Sequence, residues 1–377
     1  MSRPRLLYLV TEDWYFVSHR LALAKAAQAA GYDVSVVTRV ARHGDMIRDA
    51  GFELVAMPFD RSGLDPIKET KTLAALIQIY RRIRPDVVHH VAMKPVLYGS
   101  VAARATGVPR VINALMGLGY VFTSDNRRAR ILKPAVRAAL KAALTGKSTH
   151  VIVQNEDDRT LFSAEGLVRP QQLHLIRGSG VDLAAYPETP PPKGRPRIVL
   201  PARVLRDKGV VEFVEAARIL KASGVDAEFV LAGAPDPVNP ASLSEREIVA
   251  WVDEGLITYL GWRDDMAAVI ASATIVCLPS YREGLPKALL EAAAMARPIV
   301  ATDVPGCREI VRDGENGVLV PARDSAAMAG ALQRLIDDPD LCRRLGTTGR
   351  RMVEDAFSLD HVIAQTLAVY RQQTGSR

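Results

Sequence analysis

Short apolar runs rich in Val, Ile and Leu alternate with amphipathic stretches of helical period along the whole chain. That alternation leaves little room for anything but parallel sheets joined by crossover helices, because strands covered on both faces read as unbroken apolar runs. In the first half the predicted strands are Arg5 to Val10, Asp33 to Thr38, Glu53 to Met57, Asp86 to His90, Arg110 to Asn113 and Thr149 to Val153. The second half repeats the series with Arg197 to Pro201, Glu228 to Ala232, Ile257 to Leu260, Thr274 to Leu278, Pro298 to Ala301 and Gly317 to Val320.

Between the two series lies Pro187-Glu-Thr-Pro-Pro-Pro-Lys-Gly-Arg-Pro196, whose prolines suit neither a helix interior nor a central strand. The expected fold class is therefore α/β, with two doubly wound Rossmann-like domains facing across a cleft at the carboxyl ends of their strands. Residues 1–180 form the first domain in this reading, 187–196 the linker and 197–358 the second domain. The last segment, 359–377, is predicted helical and free to pack on either.

Hydrophobic residues make up 48% of the chain and charged residues 24%, which excludes global disorder. No run of eighteen apolar residues occurs, and Met1 to Val10 reads as a strand rather than an export signal. Cys277, Cys307 and Cys342 lack C-x-x-C spacing and are too few for a disulfide framework, so a reducing cytoplasm fits best.

The net charge of +7 is unevenly spread: residues 1–180 carry 26 Lys and Arg against 15 Asp and Glu, and the remainder 23 against 27. A basic surface of this kind attracts nucleic acid, anionic lipid or phosphorylated substrates, and charge alone does not choose among them. The excess concentrates at Arg127, Arg128, Arg130, Lys133, Arg137, Lys141 and Lys147, with no acid between them. Leu132, Val136, Leu140 and Leu144 recur every four residues and Pro134 suits a helix start, which predicts a basic amphipathic helix. Its apolar stripe either meets a membrane or packs on the first domain. No recognisable nucleic-acid-binding module accompanies the charge, so nucleic acid is not an expected partner.

The most informative segment is Pro279-Ser-Tyr-Arg-Glu-Gly-Leu-Pro-Lys-Ala-Leu-Leu-Glu291, a strand end, a loop and a helix beginning near Pro286. Backbone N–H groups of Gly284, Leu285 and Lys287 at such a start suit an anion. Glu283 can accept hydrogen bonds from sugar hydroxyls, and Glu291, about two turns on, can reach a ribose diol; either acid alone also reads as a solvated flank of the helix. In Pro201-Ala-Arg-Val-Leu-Arg-Asp-Lys-Gly209, Arg203 and Lys208 can converge on one diphosphate without a metal, or be ordinary surface charge. The glycines of Ile176-Arg-Gly-Ser-Gly-Val-Asp182 permit either close approach of a ligand or a plain turn.

In combination, Ser179-Gly-Val-Asp-Leu183, Ala202-Arg-Val-Leu-Arg-Asp-Lys-Gly209, Leu278-Pro-Ser-Tyr-Arg-Glu-Gly-Leu-Pro286 with Glu291, Pro298-Ile-Val-Ala-Thr-Asp-Val-Pro-Gly-Cys-Arg-Glu309 and Asn316-Gly317 resemble glycosyltransferase family 4 over nearly the whole chain. The resemblance implies a GT-B fold, retention of anomeric configuration, and use of a nucleotide sugar, UDP above GDP, with no cofactor or metal. Carried over by position, Arg203 and Lys208 hold the diphosphate, Glu283 the donor sugar and Glu291 the ribose, and Gly284, Leu285 and Pro286 supply backbone contacts. Arg203, Lys208 and Glu283 are then the catalytic candidates on the donor side.

Many members have a glycine pair where this chain has Thr11-Glu-Asp-Trp-Tyr-Phe-Val-Ser-His-Arg20, and Pro-Asn where it has Gly178-Ser179. With Met93-Lys-Pro95 and Met116-Gly-Leu-Gly-Tyr-Val-Phe122, these departures resemble the branch that elongates polyprenyl-diphosphate-linked sugars. A lipid-linked acceptor and a peripheral position on the inner face of the cell membrane follow from that resemblance, with Arg127, Arg128, Arg130, Arg137 and Lys141 as membrane contacts. His19 and Arg20, read at a helix start, and Lys94 are the acceptor-side candidates, His19 also as a base. Trp14, Tyr15 and Phe16 fit stacking on an acceptor and fit a core equally. Two rival readings are a nucleotide-sugar 2-epimerase on the same fold and an inactive sugar-nucleotide-binding scaffold; intact Arg203, Lys208, Glu283 and Glu291 favour transfer.

Overall fold

A computed structural model describes residues 3–59, 65–115 and 127–372, without the side chains of 66 and 127–133. Met116 to Phe122 and the side chains of Arg127, Arg128 and Arg130 thus lie outside the described residues. The chain forms two compact units, one comprising residues up to Ser179 together with those from Ile363 onward, the other Gly180–Val362.

In the first unit, β1 (Arg5–Glu12), β2 (Asp33–Arg39), β3 (Glu53–Ala56), β4 (Val87–Val91), β5 (Arg110–Ala114), β6 (Thr149–Val153) and β7 (Leu173–Leu175) form one sheet. Its order is β3-β2-β1-β4-β5-β6-β7, every pairing parallel. The six predicted strands are present; β7 is additional, a half-buried edge strand of three residues with His174 at its centre. Leu7, Leu9, Val37 and Val88 pack with Leu76 and Tyr80 of the helix Pro66–Ile83. That helix starts where Asp65 accepts the N–H groups of Ile67 and Lys68, and it stops at Arg84 in the left-handed region.

The basic stretch is a helix, Arg127–Leu144, but Pro134 stands inside it rather than at its start. Proline there removes the N–H that would bond the Arg130 carbonyl, a local cost the helix bears through its packed end. Leu140 and Leu144 are buried in a cluster with Val96, Leu115, Val153 and Phe162, and Val136 packs against it. This half of the apolar stripe therefore faces its own core, and lipid contact through Leu140 or Leu144 is ruled out. Among the described residues no helix is long and apolar enough to cross a membrane.

The second unit holds β8 (Arg197–Pro201), β9 (Glu228–Ala232), β10 (Thr258–Gly261), β11 (Ile275–Leu278), β12 (Ile299–Thr302) and β13 (Gly317–Val320), in the order β10-β9-β8-β11-β12-β13 and again all parallel. Ile198, Leu200, Phe213, Leu231, Val276, Leu289 and Val300 belong to one core cluster. All three cysteines are free and buried. Residues 187–196 run within this unit, where Arg297, 1% exposed, donates to the carbonyls of Pro190 (3.1 Å) and Ala271 (3.0 Å) and to the Thr189 hydroxyl. A buried guanidinium is tolerable only when so satisfied.

In each sheet the strand order reverses once, between β1 and β4 and between β8 and β11. Beyond the carboxyl ends of strands at such a reversal, neighbouring loops diverge and leave room for a ligand.

Candidate active site

The two most informative sequence segments emerge on either side of the second sheet's reversal, one after β8 and the other after β11. The β8 loop makes a short 3-10 turn at Arg206–Lys208 and enters the helix Val210–Ala222 through Gly209, whose φ is +70°. A Cβ on Gly209 would stand 2.1 Å from the Pro279 carbonyl oxygen, so only glycine lets the β11 loop come this close. Tyr281 N–H then donates to the Asp207 carbonyl at 2.9 Å, locking the loops together.

That lock brings Lys208 and Glu283 into an ion pair, their side chains 21% and 10% exposed. Arg203 is directed elsewhere: its Nη1 donates to Asp236 Oδ2 at 2.8 Å, from the loop after β9. The Tyr281 hydroxyl donates to Glu212 at 2.5 Å, and the Arg323 guanidinium lies 4.6 Å from the Tyr281 ring centroid. Burial first and the Glu212 carboxylate next push the Tyr281 hydroxyl's pKa up, so it remains a donor.

The helix after the β11 loop spans Lys287–Ala294, with Pro286 as its N-cap at φ −74° and ψ 113°. Pro286 thus precedes the first helical residue rather than occupying it, since its ring fixes φ but leaves ψ extended. On the far side, Gly306 presses against the same loop; a Cβ there would lie 2.6 Å from the Gly284 carbonyl oxygen and 2.7 Å from the Glu283 carbonyl carbon. Glu291 is 6% exposed and pairs with Lys287 at 3.2 Å, and burial first and the Glu291 charge next raise the Tyr186 hydroxyl's pKa. The arrangement sets cations, carboxylates and the positive end of a helix dipole on tightly wedged backbone, which suits an anionic ligand carrying hydroxyls.

Gly180, at φ +72°, has a different explanation from ligand approach. Its missing Cβ makes room for the backbone of Leu359, 2.7 Å from where that carbon would be, and Val181 N–H donates to the Phe357 carbonyl at 3.0 Å.

In the first unit the acceptor-side candidates lie after β1 and β4, again beside the reversal. Residues Asp13–His19 are helical, so His19 closes one helix, and Arg20, 4% exposed, is the N-cap of the next, Leu21–Ala29. His19 Nδ1 is 2.6 Å from the Ser18 hydroxyl and its ring stacks on Tyr15 at 4.2 Å. Phe16 is core, at 0% exposure. Lys94 pairs with Glu69 at 2.7 Å in the first turn of Met93–Thr106, just after Ala92 at φ 78° and ψ 167°, a strained conformation for a residue with a Cβ.

Sequence reasoning passed over Tyr186, Glu212, Asp236, Tyr281 and also Asp13. The Asp13 carboxylate, wholly buried, would be raised by desolvation, but N–H donors from His43 (2.8 Å), Ala41 (2.6 Å) and Trp14 (2.7 Å) outweigh this and hold it below its usual range. The one available signal was an acid at a strand's end; its partners are set by tertiary structure.

Two family models match the chain, glycosyl transferases group 1 over residues 195–338 and glycosyl transferase 4-like over 5–155. The chain is 31% identical over 326 residues to an alpha-maltose-1-phosphate synthase of Mycolicibacterium smegmatis, covering 76% of this chain and 79% of that protein. It is 26% identical over 360 residues to the N,N'-diacetylbacillosaminyl-diphospho-undecaprenol alpha-1,3-N-acetylgalactosaminyltransferase of Campylobacter jejuni, 92% of each. It is 26% identical over 285 residues to the UDP-Gal:alpha-D-GlcNAc-diphosphoundecaprenol alpha-1,3-galactosyltransferase of Escherichia coli, 72% of each. The sucrose-phosphate synthase structure from Thermosynechococcus elongatus superposes with a TM-score of 0.81 at 22% identity, covering 98% of this chain and 99% of that one. The chain belongs to the family 4 glycosyltransferases and has their GT-B fold.

Proposed function

We propose that the enzyme transfers a hexose or N-acetylhexosamine from a UDP-sugar to a polyprenyl-diphosphate-linked saccharide, retaining the anomeric configuration and using no metal. The observation that carries the donor side is the Lys208–Glu283 ion pair beside the β8/β11 reversal, with Arg203 on the same loop as Lys208. On donor binding Lys208 turns to the diphosphate and Glu283 to the sugar hydroxyls, each exchanging one charge-assisted contact for another. Arg203, Lys208 and the start of Lys287–Ala294 stabilise the charge that grows on the leaving diphosphate. Glu291 takes the ribose, and Gly284, Leu285 and Pro286 line the donor.

As the bond from the anomeric carbon to the phosphate oxygen breaks, the acceptor hydroxyl attacks the same face and its proton passes to the departing phosphate. His19, Arg20 and Lys94 form the acceptor side, His19 as a base when that proton is not taken by phosphate. Support for a lipid-linked acceptor comes from the Campylobacter and Escherichia relatives, whose names state a diphospho-undecaprenol sugar, and support for UDP from the second of these names. The acid-free basic helix then holds the enzyme against the anionic inner face of the membrane by charge, with Lys141 exposed and Arg137 paired to Glu165 at 2.6 Å. The test is release of nucleoside diphosphate from a panel of sugar nucleotides, with and without a membrane lipid extract.

A further inference from the structure

Tyr281 stands two residues before Glu283, and three elements of the second unit converge on it. Its hydroxyl donates to Glu212 Oε1 at 2.5 Å, in the first turn of the helix Val210–Ala222. Its N–H donates at 2.9 Å to the carbonyl of Asp207, the residue before Lys208. The Arg323 guanidinium, from the segment after β13, covers its ring 4.6 Å from the centroid, close enough for the ring's quadrupole to attract the cation. Arg323 takes φ +64° to do so, an uncommon region for a residue with a Cβ.

The bond to Glu212 is costly to lose. Glu212 is 9% exposed, and its Oε2 is buried with no hydrogen-bond partner among the described residues. The Tyr281 hydroxyl therefore compensates the burial of this acid, and a buried acceptor left unsatisfied is penalised by more than a hydrogen bond is worth. One residue, Arg282, separates this anchor from Glu283, whose backbone rests against Gly306; a Cβ on Gly306 would lie 2.7 Å from the Glu283 carbonyl carbon. Glu283 thus reaches Lys208 from backbone anchored before it by Tyr281 and at it by Gly306.

We propose that Tyr281 is a positioning residue for the donor sugar: through its hydrogen bond to Glu212 it holds the Glu283 carboxylate where the sugar hydroxyls bind. The inference rests on the donor-sugar role assigned to Glu283 above. The test compares wild type, Tyr281→Phe, Glu283→Ala and Tyr281→Phe/Glu283→Ala. Each receives a membrane lipid extract and the UDP-hexose or UDP-N-acetylhexosamine that the wild type turns over fastest, and UDP binding is measured by calorimetry. Tyr281→Phe should lower kcat about tenfold, the scale of one hydrogen bond to a charged group, while UDP affinity stays within about twofold. In the Glu283→Ala background the same substitution should change kcat by less than about twofold, because residues that act through one another are not additive. Tyr281→Phe also strands Glu212, so Tyr281→Phe/Glu212→Met, which removes both polar groups, should restore the wild-type melting temperature and keep the tenfold loss.

Wild-type kcat in Tyr281→Phe, with kcat lost in Glu283→Ala, would overturn the role of Tyr281 alone. So would a tenfold loss that persists in the Glu283→Ala background, a matching loss of UDP affinity, or full recovery of kcat in Tyr281→Phe/Glu212→Met, each of which marks a merely structural effect. Wild-type kcat in Glu283→Ala, or no turnover of any of these donors by the wild type, would remove the donor-sugar reading and Tyr281 with it.

Discussion

Lys208 and Glu283, supplied by loops after adjacent parallel strands, neutralise one another at the point where the second sheet's strand order reverses. In the proposed reaction a diphosphate sugar replaces the pair on both sides at once, the ammonium meeting phosphate and the carboxylate meeting hydroxyls. Gly209 and Gly306 fix the two loops before any ligand arrives, so little reorganisation is left for the reaction.

Glu283→Ala and Glu291→Ala are expected to fail in different ways. Losing Glu283 removes sugar orientation and should lower kcat by about a hundredfold, the scale of one preorganised polar contact. Losing Glu291 should raise donor KM by about tenfold with a smaller effect on kcat. Steady-state kinetics of both variants checks this; near-wild-type values for both would remove these roles.

On the proposed roles, in which Arg203 and Lys208 supply the charge that a divalent ion provides elsewhere, chelators should leave the rate unchanged. Initial rates after exhaustive treatment with EDTA test it. Strict dependence on added magnesium or manganese would contradict the assignment.

Acid should weaken the first unit through His90. Its Nδ1–H donates to Asn113 Oδ1 at 2.8 Å, its Nε2 accepts from Tyr80 at 2.9 Å, and burial lowers its pKa to about 4. The unfolded chain takes up a proton near pH 6.5 while the folded ring stays neutral, so stability is lost as pH falls from about 6.5 towards 4. Between pH 7 and 5 the loss from this residue is about 2 kcal/mol. Urea denaturation at both pH values should show it, and His90→Gln should reduce the difference.

Much of the fold was legible because parallel strands covered on both faces leave unbroken apolar runs, and twelve of these stood out. Leu173–Leu175 did not, being a short edge strand with a histidine in it. Pro134 misled because a proline signals a helix start locally, whereas burial of Leu140 and Leu144 holds a longer helix together around it. In the site, Arg203, Lys208, Glu283 and Glu291 were visible from loop position and motif. Asp236, the partner of Arg203, was not, since pairing across 33 residues has no local signature. Gly180 was visible as a glycine, but its reason, the backbone of Leu359, lies at the other end of the second unit.

With Leu140 and Leu144 buried, membrane docking by the basic helix must be electrostatic. Cosedimentation with anionic liposomes should fall steeply with salt, as the Debye length shortens from about 10 Å at 0.1 M to about 3 Å at 1 M. Neutral liposomes should bind poorly. Replacing Arg130 and Lys141 with Glu should reduce liposome binding and transfer to membrane acceptor together while sparing donor binding. Unaltered liposome binding in the folded variant would remove the membrane role of this helix.

Transfer itself is tested most directly with UDP-hexoses and UDP-N-acetylhexosamines presented to a polyprenyl-diphosphate-linked sugar in detergent, measuring UDP release and the anomeric configuration of the lengthened glycolipid. Release of UDP that depends on the lipid-linked acceptor, with an α-linked product from an α-linked donor, is the expected result. UDP release at the same rate without acceptor, or a product of inverted configuration, would contradict the proposed reaction.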